Sequence, residues 1–336
     1  CPSNVDVATL KAEFAYQYQE TNGYPLRNRV FAYNTQLSRL QSQVAPLSNL
    51  LTQKGWGSRL LKSLLGIAPK RSLPGVQRVD FDSVLKSVKQ TSTTSGRSVV
   101  LYIDEFTRYL DTELGVHAIE LLEGLGYDLM LFKAESGRSF ISKGFLKQAR
   151  DLARKNQSAL LEFAEKGIPV VGLEPSAVLT FRDEYKRLGL PSAQADAIAG
   201  NAFLLEEFLA SEIAGGRIHA DQFTKEARTV KIHVHCHQKA LGEQKSTFDV
   251  LNLPENYSAT LIPSGCCGMA GSFGYEKEHY EVSMKIGGLK LFPTVLKTDP
   301  EVIIAANGTS CRHQILDGTG RRALHPVSIL REALLL

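Results

Sequence analysis

The sequence predicts an α/β protein with parallel sheets, and three observations carry that expectation. Short β-branched and apolar runs at 99–103, 128–132, 169–173, 231–235, 259–262 and 302–306 alternate with helical patterns such as 116–125, 143–155 and 275–291. Strands that take turns with helices favour parallel pairing through crossover connections. The second half also repeats the first. Val100-Leu-Tyr-Ile-Asp-Glu105 stands where Ile232-His-Val-His-Cys236 recurs, Glu135-Ser-Gly137 matches Cys266-Cys-Gly268, and Glu174-Pro-Ser-Ala177 matches Gly308-Thr-Ser-Cys311. Glu105 and Glu135 lie 30 positions apart, as do Cys236 and Cys266; the later step is 41 positions in one copy and 44 in the other. Finally, 336 residues with 43% hydrophobic and 22% charged have the balance of a globular chain of two or three domains.

Taken in order, residues 1–80 read as a helical segment. Leu10, Phe14 and Ala15 fall at helical spacing within 7–18, and Leu37, Leu40 and Val44 repeat the habit within 34–45. The stretch 54–71 places Trp56, Leu60, Leu61, Leu64 and Leu65 on one face, with five basic residues and no acid. Such a helix suits a membrane surface; packing against the α/β core or a further domain is the stronger expectation. Residues 69–79, with two prolines, read as a linker. Two tandem Rossmann-like repeats follow, over 81–215 and 216–336. No G-x-G-x-x-G follows a strand, so a nucleotide or hydride-transfer role finds no support. A net charge of +4 is too slight to argue for nucleic acid. No apolar run reaches the ~18 residues of a membrane span, and nothing at the start reads as a signal peptide. The expected location is cytoplasmic, at most peripheral to the inner face of the membrane. The chain begins at Cys1 without methionine, as a processed protein or a fragment would.

Five cysteines in this length exclude a disulfide-stapled scaffold. Their placement says more: after Cys1, 234 residues pass without a thiol, and then Cys236, Cys266, Cys267 and Cys311 appear within 76. In an open parallel sheet, ligands gather beyond the carboxyl ends of the strands. Three strand ends thus deliver four sulfurs to one rim, and Gly265, Gly268, Gly271 and Gly308 let backbone approach closely there. Four thiolates suit zinc or an iron–sulfur cluster. Inert core thiols and a redox pair at Cys266–Cys267 are the competing readings. The flanking glycines and the strand-end positions favour an inorganic centre.

Cys236, Cys266-Cys267-Gly268 and Cys311 resemble the cysteine-rich CCG domain of heterodisulfide reductase subunits. The same domain occurs in the iron–sulfur parts of glycolate oxidase, D-lactate and anaerobic glycerol-3-phosphate dehydrogenases. The resemblance covers roughly 97–336. Copy one departs from it, with Glu135-Ser-Gly-Arg138 for Cys-Cys-Gly-Arg and Ala177 for a cysteine. The second thiol that often follows the last cysteine is also missing, since Arg312-His313 follows Cys311. Cys1-Pro2 looks like the end of a ferredoxin-type four-cysteine run. The resemblance therefore implies the carboxyl-terminal fragment of an FAD-linked, iron–sulfur 2-hydroxyacid dehydrogenase, inactive alone as a dehydrogenase. Its partners would be the FAD-linked oxidase domain or subunit and a ferredoxin-type domain, in which Cys1 is a cluster ligand, with a quinone-type acceptor. Because copy one lacks thiols, a double cluster is short of ligands. A single 4Fe-4S cluster, with zinc as the alternative, is what the chain's four clustered thiols allow.

Other polar residues compete for a place near that centre. His233, His235 and His237 share one strand face opposite Cys236, and His237 turns to the rim if the strand ends at His235. His313 sits two residues after Cys311, and Arg312, Arg321 and Arg322 lie nearby. His237, His313 and Arg312 are expected beside the ligands, a structural histidine and a polar loop being the plain alternatives. Asp104 and Glu135 are expected to be solvated acids, and Glu174-Pro-Ser176 to be structural.

Overall fold

The computed structural model describes residues 6–53, 55–89 and 97–335. Five helices come first: α1 (Val7–Asn22), α2 (Leu26–Ala32), α3 (Asn34–Ser42), α4 (Ala45–Gln53) and α5 (Gly55–Leu64). Helix α6 (Phe81–Lys89) leads into the first repeat, β1 (Arg97–Ile103), α7 (Glu105–Tyr109), α8 (Thr112–Gly124), β2 (Tyr127–Lys133), α9 (Arg138–Ser142) and α10 (Leu146–Glu165). That repeat continues with β3 (Val170–Gly172), α11 (Pro175–Arg182), α12 (Ser192–Gly200), β4 (Ala202–Leu204) and α13 (Leu205–Ala214). The second runs β5 (Arg228–His233), α14 (Cys236–Leu241), α15 (Gln244–Leu251), β6 (Tyr257–Leu261), α16 (Tyr280–Leu289) and α17 (Leu291–Lys297). It ends with β7 (Ile303–Ala306), α18 (Thr309–Thr319) and α19 (Pro326–Ala333). The expected α/β class holds.

Both sheets are parallel, with orders β2-β1-β3-β4 and β6-β5-β7. A parallel bridge from Ala305 to Leu324 puts the chain before α19 where β4 stands in the first sheet. Strand β1 shows why a continuous apolar run becomes a central strand. Val99, Leu101 and Ile103 enter one core cluster and Val100 and Tyr102 the other, so both faces are covered. The first of these cores also contains Val230, Ile232 and Val327 of the second repeat. Helix α8 packs on α19, and α13 on α15. Exchanging the two repeats converts one pair into the other, so the halves meet about a pseudo-two-fold axis.

Three expectations need correction. Residues 275–291 do not form one helix: a 3₁₀ turn at Phe273–Tyr275 precedes α16, and the chain breaks at Lys290 (φ −143°) before α17. The apolar residues of 54–71 do not share one packed face. Leu61 and Leu65 line a cavity, whereas Trp56, Leu60 and Leu64 point outward and are exposed. Nor is 69–79 merely a linker. Arg71 is almost wholly buried and donates to the Gly274 carbonyl (2.7 Å), the Gln314 Oε1 (2.5 Å) and the Ser283 hydroxyl (2.7 Å), with Asp317 3.3 Å away. It threads the start of the chain into the second repeat.

At the seam between repeats, burial pushes the Glu206 carboxyl on α13 up to about 7, while burial keeps His325 facing it neutral, with a pKa lowered to about 3. The folded protein thus holds a proton that the unfolded chain gives up near the usual carboxylate value. This contribution to stability is complete below the unfolded pKa and is lost as pH rises through about 7. Asp104 and Glu105, also raised by burial, act in the same direction. His325, kept neutral in the fold, acts in the opposite direction below its ordinary value of 6.5, so thermal melts of the wild type should weaken mainly from about pH 6.5 to 8. Glu206→Gln, neutral throughout, should remove roughly 3 kcal/mol of that pH dependence.

Candidate metal centre

Each thiol is placed by the junction between a strand and the following helix. Strand β5 ends at His233, two residues earlier than expected, because His235 serves as the N-cap of α14: its Nδ1 accepts from the His237 N–H (3.1 Å). Cys236 is the first residue of that helix. Cys266 and Cys267 occupy the loop after β6, and Cys311 is the third residue of α18. Glu105, Ser136 and Ala177 hold the same places in the first repeat, at the start of α7, in the loop after β2, and third in α11.

The four sulfurs form a continuous row. The Cys311 thiol meets the Cys267 sulfur at 3.5 Å, and Cys266 stands between Cys267 and Cys236, near enough for each to shift the other's ionisation. Bonds from Cys236 and Cys267, with the Gly268 N–H 3.3 Å away, hold Cys266 well below the ordinary thiol range. Its bond to Cys267 likewise holds Cys311 down. Cys236 and Cys267, which share their protons with these neighbours, are pushed up. Neighbouring thiols are thus shifted in opposite directions, the thiolate form being favoured at Cys266 and Cys311. Lys239, one helical turn after Cys236, adds a cation close to all four, and its ammonium donates to the Ser264 and Gly265 carbonyls.

Several groups fix the loop. Gln314 donates to the Cys267 carbonyl (2.9 Å) and accepts from Arg71. Gly268 has φ +95°, and a Cβ there would lie 2.2 Å from the Ser283 carbonyl oxygen. The first repeat reaches across: Glu174 caps α11 through the Ser176 N–H and accepts from the Thr309 N–H (2.7 Å) at the start of the Cys311 helix. Asp111 pairs with Arg312 (2.7 Å) and accepts from the Thr309 hydroxyl.

The expected neighbours of the centre divide. Arg312 is spent on Asp111 and on the Ala306 and Asn307 carbonyls. Arg321 binds carbonyls of the turn after α17, the plain polar-loop outcome. His237 and His313 border the cavity, each with a buried Nδ1 lacking a hydrogen-bond partner; burial pushes the imidazole of His237 down to about 2. Asp104 is not a solvated acid. It is wholly buried, capping α7 through the Phe106 and Thr107 N–H groups. Glu135 meets Gln36 on α3. Sequence reasoning overlooked Glu105, whose carboxylate accepts from the Ser136 N–H (2.9 Å) and hydroxyl (2.6 Å) and so closes the first repeat's counterpart site. It also overlooked Arg71, Lys239 and Gln314. Cys1 lies outside the described residues.

A cavity of about 510 Å³ opens on Cys236, Cys266 and Cys267. Both repeats wall it, and Phe31, Leu37, Leu61, Leu65 and Ile67 of the N-terminal part give it an apolar roof. Among the described residues no helix is long and apolar enough to cross a membrane.

Fold and site together define a two-repeat α/β protein with one thiol-lined rim and one rim closed by acid and hydroxyl. No protein-family profile matches the chain. It is 28% identical over 344 residues to the D-2-hydroxyglutarate dehydrogenase of Escherichia coli K12, covering 99% of this chain and 33% of that protein. The D-2-hydroxyglutarate dehydrogenase of Pantoea ananatis is 27% identical with the same coverage. A subunit of the anaerobic glycerol-3-phosphate dehydrogenase of E. coli K12 is 26% identical over 338 residues, covering 99% of this chain and 83% of that polypeptide. The chain thus spans about a third of the D-2-hydroxyglutarate dehydrogenases it matches. These relatives bear out the resemblance to part of a larger dehydrogenase, once within a longer chain and once as most of a separate polypeptide.

Gly268→Ala should destabilise the protein by about 2–5 kcal/mol, from positive φ together with overpacking. Gly265→Ala, with nothing within 4 Å of its Cβ, should be close to neutral. Urea midpoints compare the two.

Proposed function

We propose that this chain is an electron-transfer module of an FAD-linked 2-hydroxyacid dehydrogenase, with an iron–sulfur centre held by Cys236, Cys266, Cys267 and Cys311. The observation that carries this reading is the gathering of four sulfurs at one rim of the sheet, three of them lining an apolar-roofed cavity. The donor set fits the group: sulfur only, from the first turns of two helices and one loop, with a cation beside it and Cys266 and Cys311 held below the thiol range. When bound, such a centre takes up and releases single electrons. The chain's own residues roof the cavity with apolar side chains, offset charge through Lys239, and fix the loop through Gln314 and Arg71.

The cavity lies within the ~300–1,000 Å³ typical of small-molecule sites, and its apolar lining suits a quinone-type acceptor. Residues 1–80 are read as the connector of a ferredoxin-type domain, ahead of repeats at 81–215 and 216–336. Val7, Leu10, Phe14 and Tyr18 form an exposed stripe on α1. We assign it to contact with the FAD-linked part, since the matched relatives are about three times longer than this chain or belong to a multisubunit enzyme.

One observation favours a second reading, a structural zinc module that docks partner subunits. The 3.5 Å between Cys267 and Cys311 is close to the ~3.8 Å edge of a sulfur tetrahedron with Zn–S bonds of ~2.3 Å.

Anaerobic reconstitution with metal and sulfide analysis separates the two. The expected result is about four iron and four sulfide per chain with a visible absorption band that bleaches on reduction. One zinc without iron, and unfolding on chelation without a redox signal, would overturn the electron-transfer reading. In the reduced, reconstituted protein, Leu65→Glu should slow reoxidation by a soluble quinone about tenfold, by placing a charge in the apolar roof. Its iron content should be unchanged.

A further inference from the structure

His233 closes β5 with its side chain buried to 1% exposure. Its Nδ1 lies 2.8 Å from the Ser264 hydroxyl, while its Nε2 is buried with no hydrogen-bond partner. One of its ring nitrogens and the sulfurs of Cys267 and Cys311 all lie within 4.8 Å of one another. A buried ring nitrogen without a well-formed hydrogen bond is costly, and the Cys311 sulfur beside the ring is the group that meets it. An imidazole whose other nitrogen is held by a polar neighbour is how proteins aim histidine at a metal.

We infer that His233 is itself a ligand of the centre, through Nε2, beside Cys267 and Cys311. This rests on the metal reading of the thiol row and deepens it. The first repeat supplies an internal comparison. By the register that aligns Glu105 with Cys236, Tyr102 takes the place of His233 and Lys133 that of Ser264. Where the thiols are absent, so are the imidazole and the hydroxyl that orients it. His237 is set apart because it borders the cavity, and its group with His235 and Cys236 contains a single sulfur. In this set His233 fills the fourth position in place of Cys236, which lies outside its group with Cys267 and Cys311; a neutral imidazole in a thiolate's place makes the centre less negative and raises its reduction potential.

The test uses the full chain labelled with ¹⁵N-histidine and reconstituted with iron and sulfide. Pulsed EPR of the reduced centre should show one strongly coupled histidine nitrogen. His233→Cys should retain iron and sulfide, lose that coupling and titrate at a lower potential. His233→Gln should lose the coupling while its far-UV spectrum stays native. If zinc is the resident metal, ¹¹³Cd substitution should show scalar coupling to a single histidine nitrogen, absent in His233→Cys. A loaded wild type without nitrogen coupling, or coupling that persists in His233→Cys, would overturn the ligand assignment and leave the thiol centre standing. A chain that takes up neither iron nor zinc would overturn the metal reading, and the assignment with it.

Discussion

Keeping Cys236, Cys266, Cys267 and Cys311 in a row is the constraint around which the rest of the chain is arranged. Sulfurs this close cannot all ionise without repulsion, and two of them are buried. The protein meets this with shared protons along the row, the Lys239 ammonium, and backbone bent so that the Gly268 N–H faces sulfur. Each device works only if three strand ends stay in fixed register. The parallel pairing of β5 with β6 and β7 supplies that register, and the shared core between repeats makes it rigid.

The first repeat shows what becomes of the same architecture without thiols. Glu105 takes the position of Cys236 and accepts two hydrogen bonds from Ser136, the counterpart of Cys267. An acid–hydroxyl latch thus closes the loop that a metal would otherwise hold. Freed from ligation, this half acts on its partner. Glu174 caps the helix that carries Cys311, Asp111 holds Arg312, and α9 helps to wall the cavity. One copy supplies the donors and the other supplies their setting.

Much of this was legible in the residues. The buried strands announced themselves as unbroken apolar runs, and the matched spacing of Glu105–Glu135 and Cys236–Cys266 revealed the repeat. The convergence of the thiols followed from the rule that such sheets gather ligands at strand ends. What escaped has physical reasons. Strand β4 is three residues long and runs directly into α13, leaving no turn to mark it. Arg71 sits in a stretch with prolines and basic residues, where a charge ordinarily means solvent, and its burial depends on partners more than 200 positions away. The end of β5 was misplaced because His235 continues the histidine alternation while its ring already caps α14. Glu105 reads as one acid among many until the fold brings it to Ser136.

The guanidinium of Arg71 grips Gln314, and Gln314 in turn grips the Cys267 carbonyl. A few residues after α5 and only two bonds from a sulfur-bearing loop, it works like a drawbar. The residues that follow the amphipathic helices are thereby tethered to the backbone of the chalcogen row by a path that does not cross the cavity.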